Sequence, residues 1–326
     1  MGDNNGSNHV VGVDLGGTKI LAGVFDPKGE LLGTTKVSTK AQRGPAVVLE
    51  RVARCVQDAI DECDLSPKQV RAIGIGAPGS VDPEHGEVVF APNLGWKNIA
   101  VVKELEKWLD LPVYLENDCK ACMLGVYERE LKSKPRHVLG IFIGTGIGGG
   151  LIFDGELYTG ANHAAGEVGH MVIDVNGPKC SCGNNGCFEV LASRLALFRA
   201  IQSAVENGEK SVLTEMLGDD FKDLRSGDIR KAIRRGDKLV QKAVETSAEY
   251  TGIAVANLVN ILNPEMVVLG GGVIEALADE VMPTIIKTAK AHMLPGLFRN
   301  VEIIASKLGD NAGITGAAVL ARDKSK

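Results

Sequence analysis

Apolar and polar positions along the chain switch between a period of two and a helical period. From Val10 the chain opens with apolar, β-branched runs separated by turn residues: VVGVDL, GGTK, ILAGVF, DPKGE and LLGTTKVST. This pattern predicts three strands joined by two tight turns. The period then changes, and Val48, Leu49, Val52, Val56, Ala59 and Ile60 recur at helical spacing, predicting a helix over 46–63. VRAIGIGAPG reads as a short buried strand closed by a Gly/Pro turn. An amphipathic helix is expected over 99–109, and PVYLEND reads as a strand ending on three polar residues. Strands alternating with helices mark an α/β fold.

At His137 the opening pattern returns. HVLGIFIGTGIGGGLIFDGELY aligns with HVVGVDLGGTKILAGVFDPKGELL at an offset of 128, matching His9/His137, Val10/Val138, Gly12/Gly140, Gly16/Gly144, Phe25/Phe153 and Asp26/Asp154. Two readings stand: hairpins that share turn chemistry by chance, or two related lobes each opening with a glycine hairpin. An offset of half the chain is not the ~20–50-residue period of a solenoid. Beyond it, 188–205 reads as one long helix, 208–236 as polar with short helical pieces, and 237–262 as a strong helix ending before Pro264. MVVLGGGV reads as a buried strand running into a triple-glycine turn. NAGITGAAVLA reads as a small-residue helix that must pack closely, and the charged residues after it are expected to fray.

Composition narrows the function classes. The chain has 326 residues, 24% of them charged, and a net charge of −5, which argues against wholesale disorder and offers no electrostatic footprint for nucleic acid. The start, MGDNNGSNH, lacks the basic and apolar regions of a signal peptide, and Ser7 falls one place late for a myristoylation context. No apolar run approaches the ~20 residues of a membrane helix. A cytoplasmic location is therefore expected, where thiols are free or metal-bound rather than paired. Two residue types are in excess. Glycine numbers 40 of 326, above the usual ~7%, and there are seven cysteines.

Many of the glycines fall in turns suited to anions. D-L-G-G-T-K (Asp14 to Lys19) exposes consecutive backbone N–H groups and adds a hydroxyl and an ammonium. It is neither a Walker A loop nor a dinucleotide fingerprint; a plain hairpin turn is the alternative. G-T-G-I-G-G-G (Gly144 to Gly150) contains G-x-G-x-x-G, but a strand pattern follows it, so a dinucleotide site is disfavoured. With Gly270-Gly271-Gly272, the two hairpins suit a nucleotide held between lobes.

The thiols give a sharper signal. His170, Cys180, Cys182 and Cys187 stand as H-x9-C-x-C-G-x2-G-C, the ligand count of a closed, structural tetrahedral zinc site. Cys55, Cys63, Cys119 and Cys122 lie in apolar helical contexts and read as core residues. Glu116-Asn117-Asp118 ends a strand, where α/β sheets place ligand-binding groups. There a carboxylate can take a proton from a hydroxyl, or the residues can simply cap the next helix. Glu167 and Glu189 flank the metal ligands, placed to present polar groups to a polyol.

Together D-x-G-G-T-K, A-P-G, A-P-N-L, E-N-D, G-T-G-I-G-G-G, G-E-x-G-H, C-x-C-G-x-x-G-C-x-E and the triple-glycine turn resemble the ROK family of sugar kinases and repressors. That family lies within the superfamily of hexokinase, actin and Hsp70-type ATPases. The resemblance implies two actin-like (ribonuclease H-like) α/β lobes with nucleotide and sugar in a cleft between them. It implies a small N-terminal domain over 1–117, a large domain with the zinc loop over 118–310, and a helix over about 311–326 returning to the first.

By the same resemblance Asp118 is the general base. Gly79, Asn93, Asn117, Asp118, Glu167, His170 and Glu189 contact the sugar. Gly16, Gly17, Thr18, Lys19, Gly144, Thr145 and Gly146 hold the ATP phosphates, Gly271 and Gly272 lie near the nucleoside, and Asp14 acts on Mg2+ through water. A homodimer or higher homo-oligomer is implied as well. Phosphorylation of glucose at its 6-hydroxyl is the first expectation, with N-acetylmannosamine, N-acetylglucosamine or fructose as alternatives. Whether polyphosphate can replace ATP is left open. A sugar-responsive repressor is disfavoured because only nine residues precede Val10. Cys119-Lys120-Ala121-Cys122 departs from the mostly small residues usual after the aspartate.

Overall fold

The computed structural model describes residues 8–218, 221 and 224–326, with the backbone alone at Phe298. The polar start over 1–7, and residues 219, 220, 222 and 223 of the polar stretch expected over 208–236, lie outside the described residues. The first half of the chain forms strands β1 (His9–Leu15), β2 (Lys19–Phe25) and β3 (Leu31–Ser38), then helix α1 (Pro45–Glu62). Strands β4 (Val70–Ala77), β5 (Ser80–Asp82), β6 (Glu87–Ala91) and β7 (Trp96–Ile99) follow, then α2 (Val101–Leu109), β8 (Val113–Asn117) and α3 (Asp118–Arg129). The second half begins with β9 (Val138–Ile143), β10 (Ile147–Phe153), β11 (Glu156–Leu157), α4 (Phe188–Ala192) and α5 (Arg194–Glu206). It continues with α6 (Val212–Leu217), α7 (Ser226–Arg234), α8 (Lys238–Leu262), β12 (Met266–Gly270), α9 (Gly272–His292), β13 (Glu302–Ala305) and α10 (Asn311–Lys324).

Contacts divide the chain into two compact units. One comprises Met1–Lys134, Gly150–Gly166 and Asp310–Lys326; the other comprises Pro135–Gly149 and Glu167–Gly309. In the first unit the sheet order is β3-β2-β1-β4-β8, with β1, β2 and β3 antiparallel and β4 and β8 parallel to β1. Alternation along β1 divides the core. Val11, Val13 and Leu15 pack with Val48, Val52 and Val56 of α1, while Val10 packs with Ile314 and Ala318 of α10. Helix α10 approaches the sheet so closely that a Cβ at Gly12 would lie 1.8 Å from the Ile314 carbonyl oxygen, and one at Gly74 1.8 Å from that of Ala317. Helix α3 meets α10 in the same way: a Cβ at Gly316 would lie 1.6 Å from the Ala121 oxygen. This packing groups α3 with the first unit, although the boundary expected from sequence falls just before it.

The other five-stranded sheet has the order β11-β10-β9-β12-β13, with β12 parallel to both β9 and β13. Both sheets therefore share one plan. Each has a glycine hairpin whose first strand is central, followed by two later strands added in parallel on its far side. Of the two readings of the 128-residue repeat, the sheet orders favour related lobes.

Three local features differ from the sequence pattern. Ser80–Ile99 folds into a small antiparallel sheet, β5-β6-β7, anchored by the fully buried Trp96, and the expected helix over 99–109 begins only at Val101. The expected helix over 188–205 breaks at Ser193, whose backbone is extended (φ −70, ψ 167) and whose hydroxyl accepts from the Ala196 N–H to start α5 afresh. The charged C-terminus does not fray after Ala321. It stays helical to Lys324 because Arg322 donates two hydrogen bonds, of 2.7 and 2.5 Å, to the Glu128 carboxylate. Among the described residues no helix is long and apolar enough to cross a membrane.

Candidate active site and metal centre

The junction of β8 and α3 places the proposed base. Asn117 is the N-cap of α3, and its Oδ1 accepts from the Cys119 and Lys120 N–H groups at 3.0 and 3.2 Å. Its Nδ2 donates to the Gly79 carbonyl at 3.1 Å and to Asp118 Oδ1 at 3.0 Å. Asp118 Oδ1 also accepts from the Cys119 N–H at 2.8 Å. One carboxylate oxygen is thus fixed by donors from two residues. The capping alternative offered by the sequence is present, and the same Asn117 that caps the helix also orients Asp118. Gly79 belongs to it by necessity, since its φ is +86 and a Cβ would lie 2.1 Å from the Phe90 oxygen.

The first glycine hairpin lies in the same unit. Gly16 N–H closes the turn on the Lys19 carbonyl at 2.9 Å, and Thr39 ties it down by donating its hydroxyl to the Gly16 carbonyl at 2.7 Å. Thr18 is exposed at the tip. Asn93 sits beside Gly17, its Nδ2 3.6 Å from where a Cβ would stand. Lys19 is engaged: its Nζ lies 2.6 Å from Asp310 Oδ2, and this contact holds the Asp310 carboxyl below its usual value. Such partly exposed pairs are weak, so Lys19 is able to exchange Asp310 for a phosphate. Desolvation, with the nearby charge of Asp118, pushes the Asp14 carboxyl up to about 7, against the pull of Lys19.

In the second unit the Gly144–Gly146 turn is closed by the Gly144 N–H on the Gly146 carbonyl at 2.9 Å. Glu189, in the first turn of α4, accepts from the Ile147 N–H at 2.9 Å. A Cβ at Gly146 would stand 2.2 Å from Glu189 Oε2. Arg194 adds a cation to this turn that the motifs did not reveal, its Nη2 donating to Thr145 Oγ1 at 2.6 Å and its N–H to the Gly144 carbonyl at 3.0 Å. No sequence signal marked it, because the break at Ser193 that sets Arg194 at a helix start leaves the apolar spacing undisturbed. Gly271, at φ +85, caps the 21-residue helix α9, and a Cβ there would lie 2.7 Å from the Ile143 oxygen. Gly272 begins that helix, with nothing within 4 Å of its Cβ position.

The metal-ligand residues come together. His170 Nδ1 and the Sγ atoms of Cys180, Cys182 and Cys187 all lie within 4.8 Å of one another. Cys182 and Cys187 Sγ are 3.6 Å apart, and Cys180 Sγ is 3.8 Å from His170 Nδ1. Ligands ~2.0–2.3 Å from a tetrahedral zinc lie about 3.5–3.8 Å apart, so the residues fit the ion. The backbone is shaped for this: Gly183 and Gly186 have φ of +102 and +65, and a Cβ at Gly186 would lie 1.5 Å from the Asp174 oxygen. Without a cation, desolvation and the adjacent thiols push the Cys187 thiol up to about 12, while the Asn184 backbone draws Cys182 down. Because Nδ1 of His170 faces the thiols, Nε2 remains for a second partner. Glu167 is exposed, immediately before the short turn that carries His170. The other four cysteines are buried or half-buried.

Comparison with known proteins agrees with this geometry. The ROK family model matches residues 10–324. The chain is 36% identical over 316 residues to the glucokinase of Streptomyces coelicolor, covering 96% of this chain and 97% of that one. It is 32% identical over 311 residues to a putative xylose repressor of Caldicellulosiruptor, covering 95% of this chain and 77% of that one. Its fold matches the crystal structure of a ROK family glucokinase from Streptomyces griseus, in complex with glucose and AMPPNP, with a TM-score of 0.86. The identity there is 33%, over 97% of this chain and 99% of that one. With its family model matched almost from end to end, its two sheets built to one plan and its motifs in order, the chain belongs to the ROK family.

Proposed function

We propose that the protein is an ATP-dependent hexose kinase that transfers the γ-phosphoryl group to the 6-hydroxyl of glucose. The observation that carries the reading is the strand-end carboxylate of Asp118, one oxygen fixed by Asn117 Nδ2 and the Cys119 N–H. A carboxylate so held acts as general base: it takes the proton of the 6-hydroxyl as that oxygen attacks the γ-phosphorus and the bond to ADP breaks in line. Asn117, Gly79, Asn93, Glu167, His170 and Glu189 hold the sugar. The turns at Gly16 and Gly17 and at Gly144 and Gly146, with Thr18, Lys19 and Thr145, bind phosphate oxygens, and Arg194 adds a guanidinium beside Thr145. Gly271 and Gly272 leave room for the nucleoside.

Asp14 would orient, through water, a Mg2+ bound with ATP, which would supply neutralisation of phosphate charge. His170, Cys180, Cys182 and Cys187 would hold a zinc ion with a structural role, steadying the imidazole and the loop bearing Glu189. A homo-oligomer in the cytoplasm goes with the same reading.

A panel of glucose, N-acetylmannosamine, N-acetylglucosamine and fructose with ATP-Mg2+ tests it. Glucose should exceed the others in kcat/KM by at least tenfold, ~1.4 kcal/mol of transition-state binding. Asp118→Ala should lower turnover by about 10^2–10^4-fold while the protein keeps its fold; substantial residual activity overturns the assignment. The likeness to a xylose repressor favours a second reading, sugar-dependent DNA binding without catalysis, and wild-type turnover decides against it.

A further inference from the structure

The residues that follow Asp118 depart from the small side chains usual there, and the reaction proposed above uses none of their side chains. Lys120 is the most unusual. Its side chain is 3% exposed, and Nζ lies 3.8 Å from Oε1 of Glu116, itself 5% exposed. Burial pushes the Glu116 carboxyl up, opposed by the Asn117 N–H, which donates to its Oε1 at 2.8 Å, and then by Lys120. A buried ion pair is seldom more stabilising than the apolar pair that would replace it, so stability alone is a poor reason for this one. The Lys120 ammonium also donates a hydrogen bond to the carbonyl of His163. His163 has a left-handed backbone, φ +55, which a side chain adopts only at a cost. It lies four residues before Glu167, where the chain leaves the first unit.

We infer that Lys120 is a positioning residue for the hexose: it ties the strand–helix junction presenting Asn117 and Asp118 to the segment leading into Glu167 and His170. The inference rests on the kinase reading. Three observations support it. The bond to His163 runs from the first turn of α3, next to the base. The same lysine faces Glu116, whose carboxylate receives the Asn117 N–H, so one ammonium holds both the junction and the incoming segment. The segment is otherwise lightly tied, with Gly160 and Gly166 at φ +75 and +92, a backbone bond from the Ala165 N–H to the Thr159 carbonyl at 2.9 Å, and His163 Nε2 3.5 Å from Oε1 of the exposed Glu84. Lys120 thus acts on the sugar side of the reaction and does not touch the phosphate turns.

The test compares wild type with Lys120→Met and with the double variant Glu116→Gln/Lys120→Met. The double variant removes both charges and keeps an acceptor for the Asn117 N–H, so it severs the link to His163 without leaving a buried charge unpaired. The expected result is a glucose KM raised tenfold or more in both variants, with the ATP KM within twofold of wild type. Amide exchange over 158–166 should be faster, and the double variant should melt within a few degrees of wild type. A folded double variant with a glucose KM within twofold of wild type overturns the inference. So do glucose and ATP KM values that rise together, or a double variant that does not fold, since either makes Lys120 a stability residue only. A wild-type protein inactive on every hexose overturns the kinase reading itself and is seen before any variant is made.

Discussion

Asp14 shows how far a single residue's environment departs from its place in a motif. In D-L-G-G-T-K it is an ordinary aspartate; in the structure its carboxyl titrates at about 7, first through desolvation and then through Asp118. In the unfolded chain the same group titrates near ~3.9. Between those values the unfolded state has lost its proton and the folded state has kept it, so this group's contribution to stability falls as pH rises from about 4 to about 7. Asp14→Asn removes that dependence. Its melting temperature should gain on wild type between pH 5 and pH 8, while its activity falls because Mg2+ loses an anionic partner. A constant difference in melting temperature across that range would contradict the shift. At this scale the sequence displayed the residues proposed as base, phosphate turns and metal ligands, because each sits in a short run of characteristic residues. Arg194 and the link between Lys120 and His163 were hidden, since their partners lie 49 and 43 residues away.

At the scale of elements, α10 is the clearest test of the packing. Ala312, Gly313, Ile314, Thr315, Gly316, Ala317 and Ala318 are all buried. The sequence announced a helix needing close neighbours, but not that they would be backbone on three sides: β1 at Gly12, β4 at Gly74 and α3 at Gly125. A Cβ at Gly316 would stand 1.6 Å from the Ala121 oxygen and 2.7 Å from the Gly125 nitrogen. Backbone cannot move aside as a flexible side chain does, so Gly316→Ala should destabilise by at least the ~1–3 kcal/mol typical of overpacking. Gly227→Ala is the control, because nothing lies within 4 Å of its Cβ position; in α7 it should be neutral or slightly stabilising. Equal melting temperatures for the two variants would refute the packing argument. Elsewhere the helical period of 188–205 concealed a break, because Ser193 stops one helix and caps the next without disturbing the apolar spacing. The sheet β5-β6-β7 escaped for the opposite reason: its strands are short, and Val89 and Phe90 are exposed, leaving little alternation to read.

At the scale of the molecule the repeated sheet plan raises the question of what distinguishes the two units. The hairpins beginning at His9 and His137 build matching sheets, and this much was legible because a glycine hairpin followed by a β-branched strand looks alike in both. The metal cluster is where they differ: among the described residues, the only group of three or more His, Cys, Asp or Glu placed to hold a metal lies in the second unit. Its ligands span His170 to Cys187, a segment whose backbone closes on itself through the Gly186 N–H to the Pro178 carbonyl at 2.8 Å and the Cys180 N–H to the Asn184 carbonyl at 2.8 Å. That segment has little apolar core, with Cys180, Cys187 and Val190 as its buried cluster. A bound ion therefore supplies cohesion that packing does not. Zinc should be found at one ion per chain. Since its thiol ligands must lose protons and Cys187 without metal titrates near 12, zinc should bind more tightly as pH rises and be released in acid. Chelation, or Cys182→Ala, should raise the glucose KM and speed amide exchange over 168–192. The first unit's sheet, with its own core around Val11, Val52 and Ile75, should keep its exchange protection. Loss of protection in both units at once would show that the ion stabilises the whole chain rather than the loop that presents His170 and Glu189, and a protein that carries no zinc yet keeps that loop protected would remove the metal from the account.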